Sequence, residues 1–117
     1  MITITFGRAS SGFIQKFTIS GHAGYAEEGQ DIICSAVSVL GQTTIGALQD
    51  LAVLKIDYLI KDTEGYMECT VPAPEEMASG QYQIANTIMD TFALGCRQVA
   101  ESYGKKYIKI KNSPFIE

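Results

Sequence analysis

Histidine is almost missing from this chain: there is one, His22, among 117 residues. The three cysteines, Cys34, Cys69 and Cys96, form no CxxC pair. A structural zinc site needs about four closely spaced ligands, so no metal is expected, and nothing calls for another cofactor. An odd number of thiols without a leader segment points to reduced cysteines and a cytoplasmic setting. The N-terminal MITITF alternates apolar and polar residues and has no basic stretch, so it reads as a strand and not as a signal peptide. No apolar run approaches the ~20 residues that span a bilayer, and no membrane partner is expected. Repeats, low-complexity tracts and linkers are lacking too, which leaves one domain over 1–117. Positive charge is scarce: nine Lys and Arg against thirteen Asp and Glu give a formal net charge of −4. An acidic surface repels phosphate backbones, so no direct nucleic-acid role is expected, and a basic peptide suits it better. The one basic cluster, Lys105, Lys106, Lys109 and Lys111, reads as a solvated edge strand.

What is present is an ordinary globular composition, 46% apolar and 19% charged. Ile2, Ile4 and Phe6 mark a first strand. After the turn residues Ser10, Ser11 and Gly12, Phe13, Phe17 and Ile19 share one face of a second strand, with Gln15 as the odd polar member. Residues 21–31 contain Gly21, Gly24 and Gly29 around Glu27 and Glu28, with no periodicity, and are expected to form a mobile loop. Asp31 is placed to cap a helix from about Ile32 to Leu51. Its buried stripe is Ile33, Val37, Leu40, Thr44, Leu48 and Leu51. The neighbouring face, Cys34, Ser38, Gly41 and Ile45, is mostly small and lets a backbone or a substrate come close. Strands near 53–60 and 66–71 flank the turn 62–65, with Pro72 and Pro74 ending the second. A second helix starts in 75–82, carries the stripe Ile84, Ile88, Phe92 or Thr91, Gly95 and Val99, and stops at Gly104. A last strand runs Tyr107–Lys111. The order ββαββαβ predicts an α+β sandwich, with a mostly antiparallel or mixed sheet and two main helices.

The chemistry concentrates at the start of the first helix. With Asp31 as N-cap, Cys34 is the third helical residue, where unpartnered N–H groups and the helix dipole favour thiolate over thiol. The same N–H groups suit an oxyanion formed when that sulfur attacks a carbonyl. His22 follows the second strand, and the loop returns to the helix start twelve residues later. Its imidazole can take the thiol proton and hand it to a leaving amine. Asp31 can orient the imidazole as well as cap the helix, and Ser38 lies one turn beyond Cys34. Cys69, in the inward alternation of a strand, and Cys96, in mid-helix, read as core residues.

Gly21-His22-Ala23, then Gly29, then Asp31-Ile32-Ile33-Cys34-Ser35-Ala36-Val37-Ser38 resembles the signature of the ribosomal-processing cysteine protease family, Prp, over essentially the whole chain. The resemblance implies a bacterial cytoplasmic homodimer that removes a short N-terminal extension from a large-subunit ribosomal protein, the twenty-seventh of its series. It also implies bulky aromatic residues just before the cut bond. The family's cysteine and histidine fall on Cys34 and His22; its flanking glycine, aspartate and serine fall on Gly21, Asp31 and Ser38. Ser35 departs from the pattern, standing where alanine is common. Two alternatives remain open at this point: a non-catalytic ribosome-assembly or RNA-binding module, and another thiol hydrolase such as a thioesterase or deamidase.

Overall fold

In the computed structural model, residues 1–21, 30–61 and 64–116 are described, with the backbone alone at 30 and 31. The order is β1 (Ile2–Arg8), β2 (Ile14–Ser20), α1 (Gln30–Asp50), β3 (Asp57–Lys61), β4 (Tyr66–Thr70), a short 3-10 turn (Pro74–Glu76), α2 (Ser79–Tyr103) and β5 (Ile108–Pro114). The strands form one sheet in the order β3-β4-β2-β1-β5. All pairs are antiparallel except β1 with β5, which is parallel. The expected ββαββαβ sandwich with a mixed sheet is therefore the observed one.

The alternation read from the sequence puts Ile2, Ile4 and Phe6 of β1 and Phe17 and Ile19 of β2 on the helix-facing side, all buried. The β1–β2 turn is closed by Ala9 N–H donating to the Phe13 carbonyl and Gly12 N–H to that of Ala9. Gly12 takes φ +94°, a conformation open to glycine at little cost. Phe92 of α2 lies between the two strands: its ring centroid is 4.4 Å from that of Phe17 and 5.9 Å, edge-on, from that of Phe6. Each such aromatic pair adds ~0.5–1.5 kcal/mol beyond the area it buries.

Several boundaries and stripes differ from the sequence reading. The helix α1 begins at Gln30, two residues early, and Leu51 lies beyond it with 66% of its surface exposed. Only β4, of the second strand pair, starts where expected; β3 starts at Asp57, because 53–56 form an irregular connection whose Leu54 is buried with no strand partner among the described residues. The buried face of α2 is Ala85, Met89, Phe92, Ala93, Cys96 and Ala100, rotated from the expected stripe. Small side chains face the sheet there, letting the helix lie close, while Ile84 is largely exposed. The strand β5 runs on to Pro114. By length and composition α1 also meets the requirement for a membrane span over Ile32–Asp50, contrary to the expectation that no segment approached it. Here that apolarity serves packing: Ile33, Val37, Ile45 and Leu48 are buried against the rest of the core.

Two glycines set how closely the layers approach. A Cβ on Gly41 would stand 2.5 Å from the Met67 sulfur and 2.9 Å from Ile19 Cδ1, so α1 sits close enough to the sheet that any larger residue there must displace those side-chain ends. A Cβ on Gly95 would meet Leu40 Cδ2 at 3.0 Å, which fixes the approach of α2 to α1.

Candidate active site

The small face of α1 divides: Gly41 and Ile45 are buried against the sheet, while Cys34 and Ser38 line open space. Cys34, Val37 and Ser38 form one wall of a cleft of about 130 Å³. The opposite wall comes from the ends of three neighbouring strands: Ile2 of β1, Ile19 of β2 and Met67 of β4. Gly21 and the turn residue Gly65 close one end, and their backbones are tied together by Gly21 N–H donating to the Gly65 carbonyl at 3.0 Å. Gly21 takes φ +98°, and a Cβ there would run into the Met1 carbonyl oxygen. The residue before the histidine is thus held to glycine twice over, by conformation and by space.

Of the residues singled out from the sequence, the structure brings Cys34, Ser38 and Gly21 to one cleft. His22, Gly24, Glu27, Glu28 and Gly29 lie outside the described residues, as does the side chain of Asp31. The helix start changes the reading of Asp31: it is the second residue of α1, inside the first turn and not before it. Cys34 becomes the fifth helical residue. The first-turn N–H groups without intrahelical partners then belong to residues 30–32, one turn ahead of the thiol. The field of the helix terminus falls off within that turn. The helix terminus thus lies farther from the sulfur than the sequence alone implied.

The three thiols are not equivalent. Cys34 is half-buried at the cleft, while Cys69 and Cys96 have no accessible surface. Burial pushes both inner thiols up to about 12; Asp57 adds to the rise at Cys69, and Arg97 opposes it at Cys96. They stay protonated and inert at any physiological pH. Among the described residues no three His, Cys, Asp or Glu side chains cluster as metal ligands.

The sequence reading missed the strand side of the cleft. Ile2, Ile19 and Met67 gave only the signal of inward alternation, which marks core and cleft wall alike. Gly65 read only as a turn residue.

One reachable thiol at a cleft, with two others locked in the core, makes Cys34 the thiol available for chemistry on this two-layer α+β sandwich. The model of the cysteine protease Prp family matches residues 1–109. The ribosomal processing cysteine protease Prp of Bacillus subtilis is 30% identical over 92 residues, 76% of this chain and 82% of the relative. Among solved structures, SMU.848 from Streptococcus mutans superposes with a TM-score of 0.81 at 28% identity, covering 98% of this chain and 96% of its own. Prp from S. aureus with a substrate peptide gives 0.80 at 20% identity, covering 97% and 100%. The same protease with a covalently linked product peptide gives 0.79 at 21%, over the same shares. The chain belongs to the cysteine protease Prp family. It is a cysteine protease of the ribosomal-processing kind.

Proposed function

We propose that this protease removes a short N-terminal extension from a large-subunit ribosomal protein, the twenty-seventh of its series, in the bacterial cytoplasm, with Cys34 as nucleophile and His22 as base. The observation that carries the reading is the position of Cys34: the single reachable thiol among the described residues, in a cleft that Gly21, the residue joined to His22, also lines. In the reaction His22 takes the proton of Cys34, and the thiolate adds to the scissile carbonyl. The tetrahedral intermediate collapses as the imidazolium protonates the departing amine, leaving a thioester on Cys34. Water, deprotonated by His22, hydrolyses that thioester and restores the thiol. The relative from S. aureus, held with a substrate peptide and with a covalently linked product peptide, supports a peptide as the ligand of this cleft.

The apolar wall of Ile2, Ile19, Val37 and Met67 suits a bulky side chain next to the cut bond, and its burial there contributes ~1.5–3 kcal/mol. Ser38 supports the site from the next turn of α1. Glu27 and Glu28 attract basic residues of the substrate. Asp31 orients the imidazole. The chain acts as a homodimer, and the groove between α1 and α2, about 590 Å³ and lined by Ile32, Val39, Leu40, Val99 and Tyr103, suits the second copy. Val39 is 63% exposed and Ile32 56%, more apolar surface than a solvated helix face needs.

Incubation with the N-terminal peptide of that ribosomal protein tests the assignment, with products read by mass spectrometry. A single cut after an aromatic residue is expected. An untouched peptide, with full turnover of a thioester or an amide side chain instead, refutes the peptide assignment.

A further inference from the structure

The net charge of −4 hides a segregation. Five of the nine cations, Arg97, Lys105, Lys106, Lys109 and Lys111, fall between 97 and 111, against one carboxylate, Glu101. The fold gathers these residues along the free edge of the sheet, where β5 ends the strand order beside the C-terminal part of α2. Between that edge and the helix lies a groove of about 390 Å³. Its floor includes Ile108 and Ile110, and its rim carries Arg97, Glu101, Lys105 and Lys109.

The backbone of β5 has a defined polarity. Ile2 N–H donates to the Tyr107 carbonyl at 2.8 Å, and Phe115 N–H donates to the Arg8 carbonyl at 2.8 Å. Odd-numbered residues of this segment thus turn their backbone groups to β1. Backbone direction alternates along a strand, so Ile108, Ile110 and Asn112 turn theirs to the open side. Among the described residues no strand pairs with these N–H and C=O groups, and a groove with an apolar floor and a cationic rim lies beside them. Lysines on such an edge repel a second copy of the same edge. They attract a strand of opposite charge.

We propose that the β5 edge and the groove beside it are a docking site for an extended acidic peptide, which adds as a further strand of the sheet. Backbone bonds to Ile108, Ile110 and Asn112 hold the strand, alternate apolar side chains enter the groove over Ile110, and the carboxylates between them, on the other face, meet Lys109 and Lys111. The site is distinct from the Cys34 cleft, since none of the groove residues lines that cleft.

The test is fluorescence anisotropy on the full chain with Cys34 carboxyamidomethylated, so that capture by the cleft is blocked. The probe is a labelled peptide of about nine residues, a usual strand length, alternating glutamate and valine. Saturable binding is expected, weakened at high salt, and absent for the lysine–valine counterpart. Two changes should each weaken it roughly tenfold: N-methylation of the probe's amides on its pairing side, and the Lys109→Gln/Lys111→Gln protein. The probe should also slow amide exchange at Ile108, Ile110 and Asn112. Absence of binding, equal binding of the N-methylated probe, or tighter binding of an oligouridylate would each overturn the proposal; the last two would leave only a general attraction for polyanions.

Discussion

Val53 is the one non-glycine residue with positive φ among the described residues, at +54°. It sits just past α1, where Ala52 N–H donates to the Ala47 carbonyl and Leu54 N–H to that of Leu48. These bonds turn the chain off the helix and require a left-handed residue between them. A β-branched side chain is poorly suited to that region, which costs an L-residue ~1–2 kcal/mol. Gln81 holds the turn from the other helix: its amide donates to the Val53 carbonyl at 3.0 Å and the Ala52 carbonyl at 3.3 Å, and its oxygen accepts from Ala78 N–H. The Val53 side chain is 71% exposed, so its replacement forfeits little burial. Asparagine tolerates the left-handed region, and Val53→Asn should stabilise the fold by about 1 kcal/mol. For 117 residues the unfolding entropy is roughly 0.25 kcal/mol/K, so the gain corresponds to about 4 °C in Tm. Scanning calorimetry of both proteins at one pH reads it directly. An unchanged or lower Tm would refute the argument that strain at this turn is being held by Gln81.

Other expected outcomes follow from the same geometry. Under native conditions near pH 8, iodoacetamide should label Cys34 alone, and all three cysteines should react in urea; native labelling of Cys69 or Cys96 would contradict their burial. Because the folded state holds those two thiols near 12 from an ordinary 9.0, they stabilise fully below pH 9 and progressively less as pH rises toward 12, so Tm should fall across that window. Gly41→Ala gains ~1 kcal/mol of helix propensity but must push Met67 toward the cleft, so Tm should stay close to wild type while KM for a peptide rises several-fold; unchanged kinetics would show that Met67 yields elsewhere. Asp31→Asn should keep its Tm and lose most activity if the carboxylate orients His22, whereas full activity would leave Asp31 a purely local role at the helix start.

Much of the fold was legible because two-residue alternation and small-residue faces leave direct marks. Ile2, Ile4 and Phe6, or Met67 and Cys69, can satisfy that alternation only with one face buried. The reading failed where the mark is ambiguous. Leu54 and Ile56 alternate like a strand, yet they belong to a connection packed on the core. The face of α2 that touches the sheet is rich in alanine, so the larger Ile84 and Ile88 drew the stripe partly off it, although Phe92 belongs to both and Ile88 and Val99 pack at the margin of the core. At the site, Cys34 was legible as the thiol to single out because glycine, aspartate and cysteine sit at informative spacings near one helix start. The cleft wall was not, since Ile2, Ile19 and Met67 meet only through the register of β1, β2 and β4.

The central claim is that Cys34 is the nucleophile of a protease, and cleavage of the ribosomal-protein peptide by wild type and Cys34→Ala tests it most directly. The substitution trims one half-buried sulfur at the cleft, so the variant should retain the wild-type circular dichroism spectrum and unfold cooperatively. Mass spectrometry should then find complete cleavage by the wild type and none by the variant; a folded Cys34→Ala protein that cuts the peptide at a rate comparable to wild type would contradict the account.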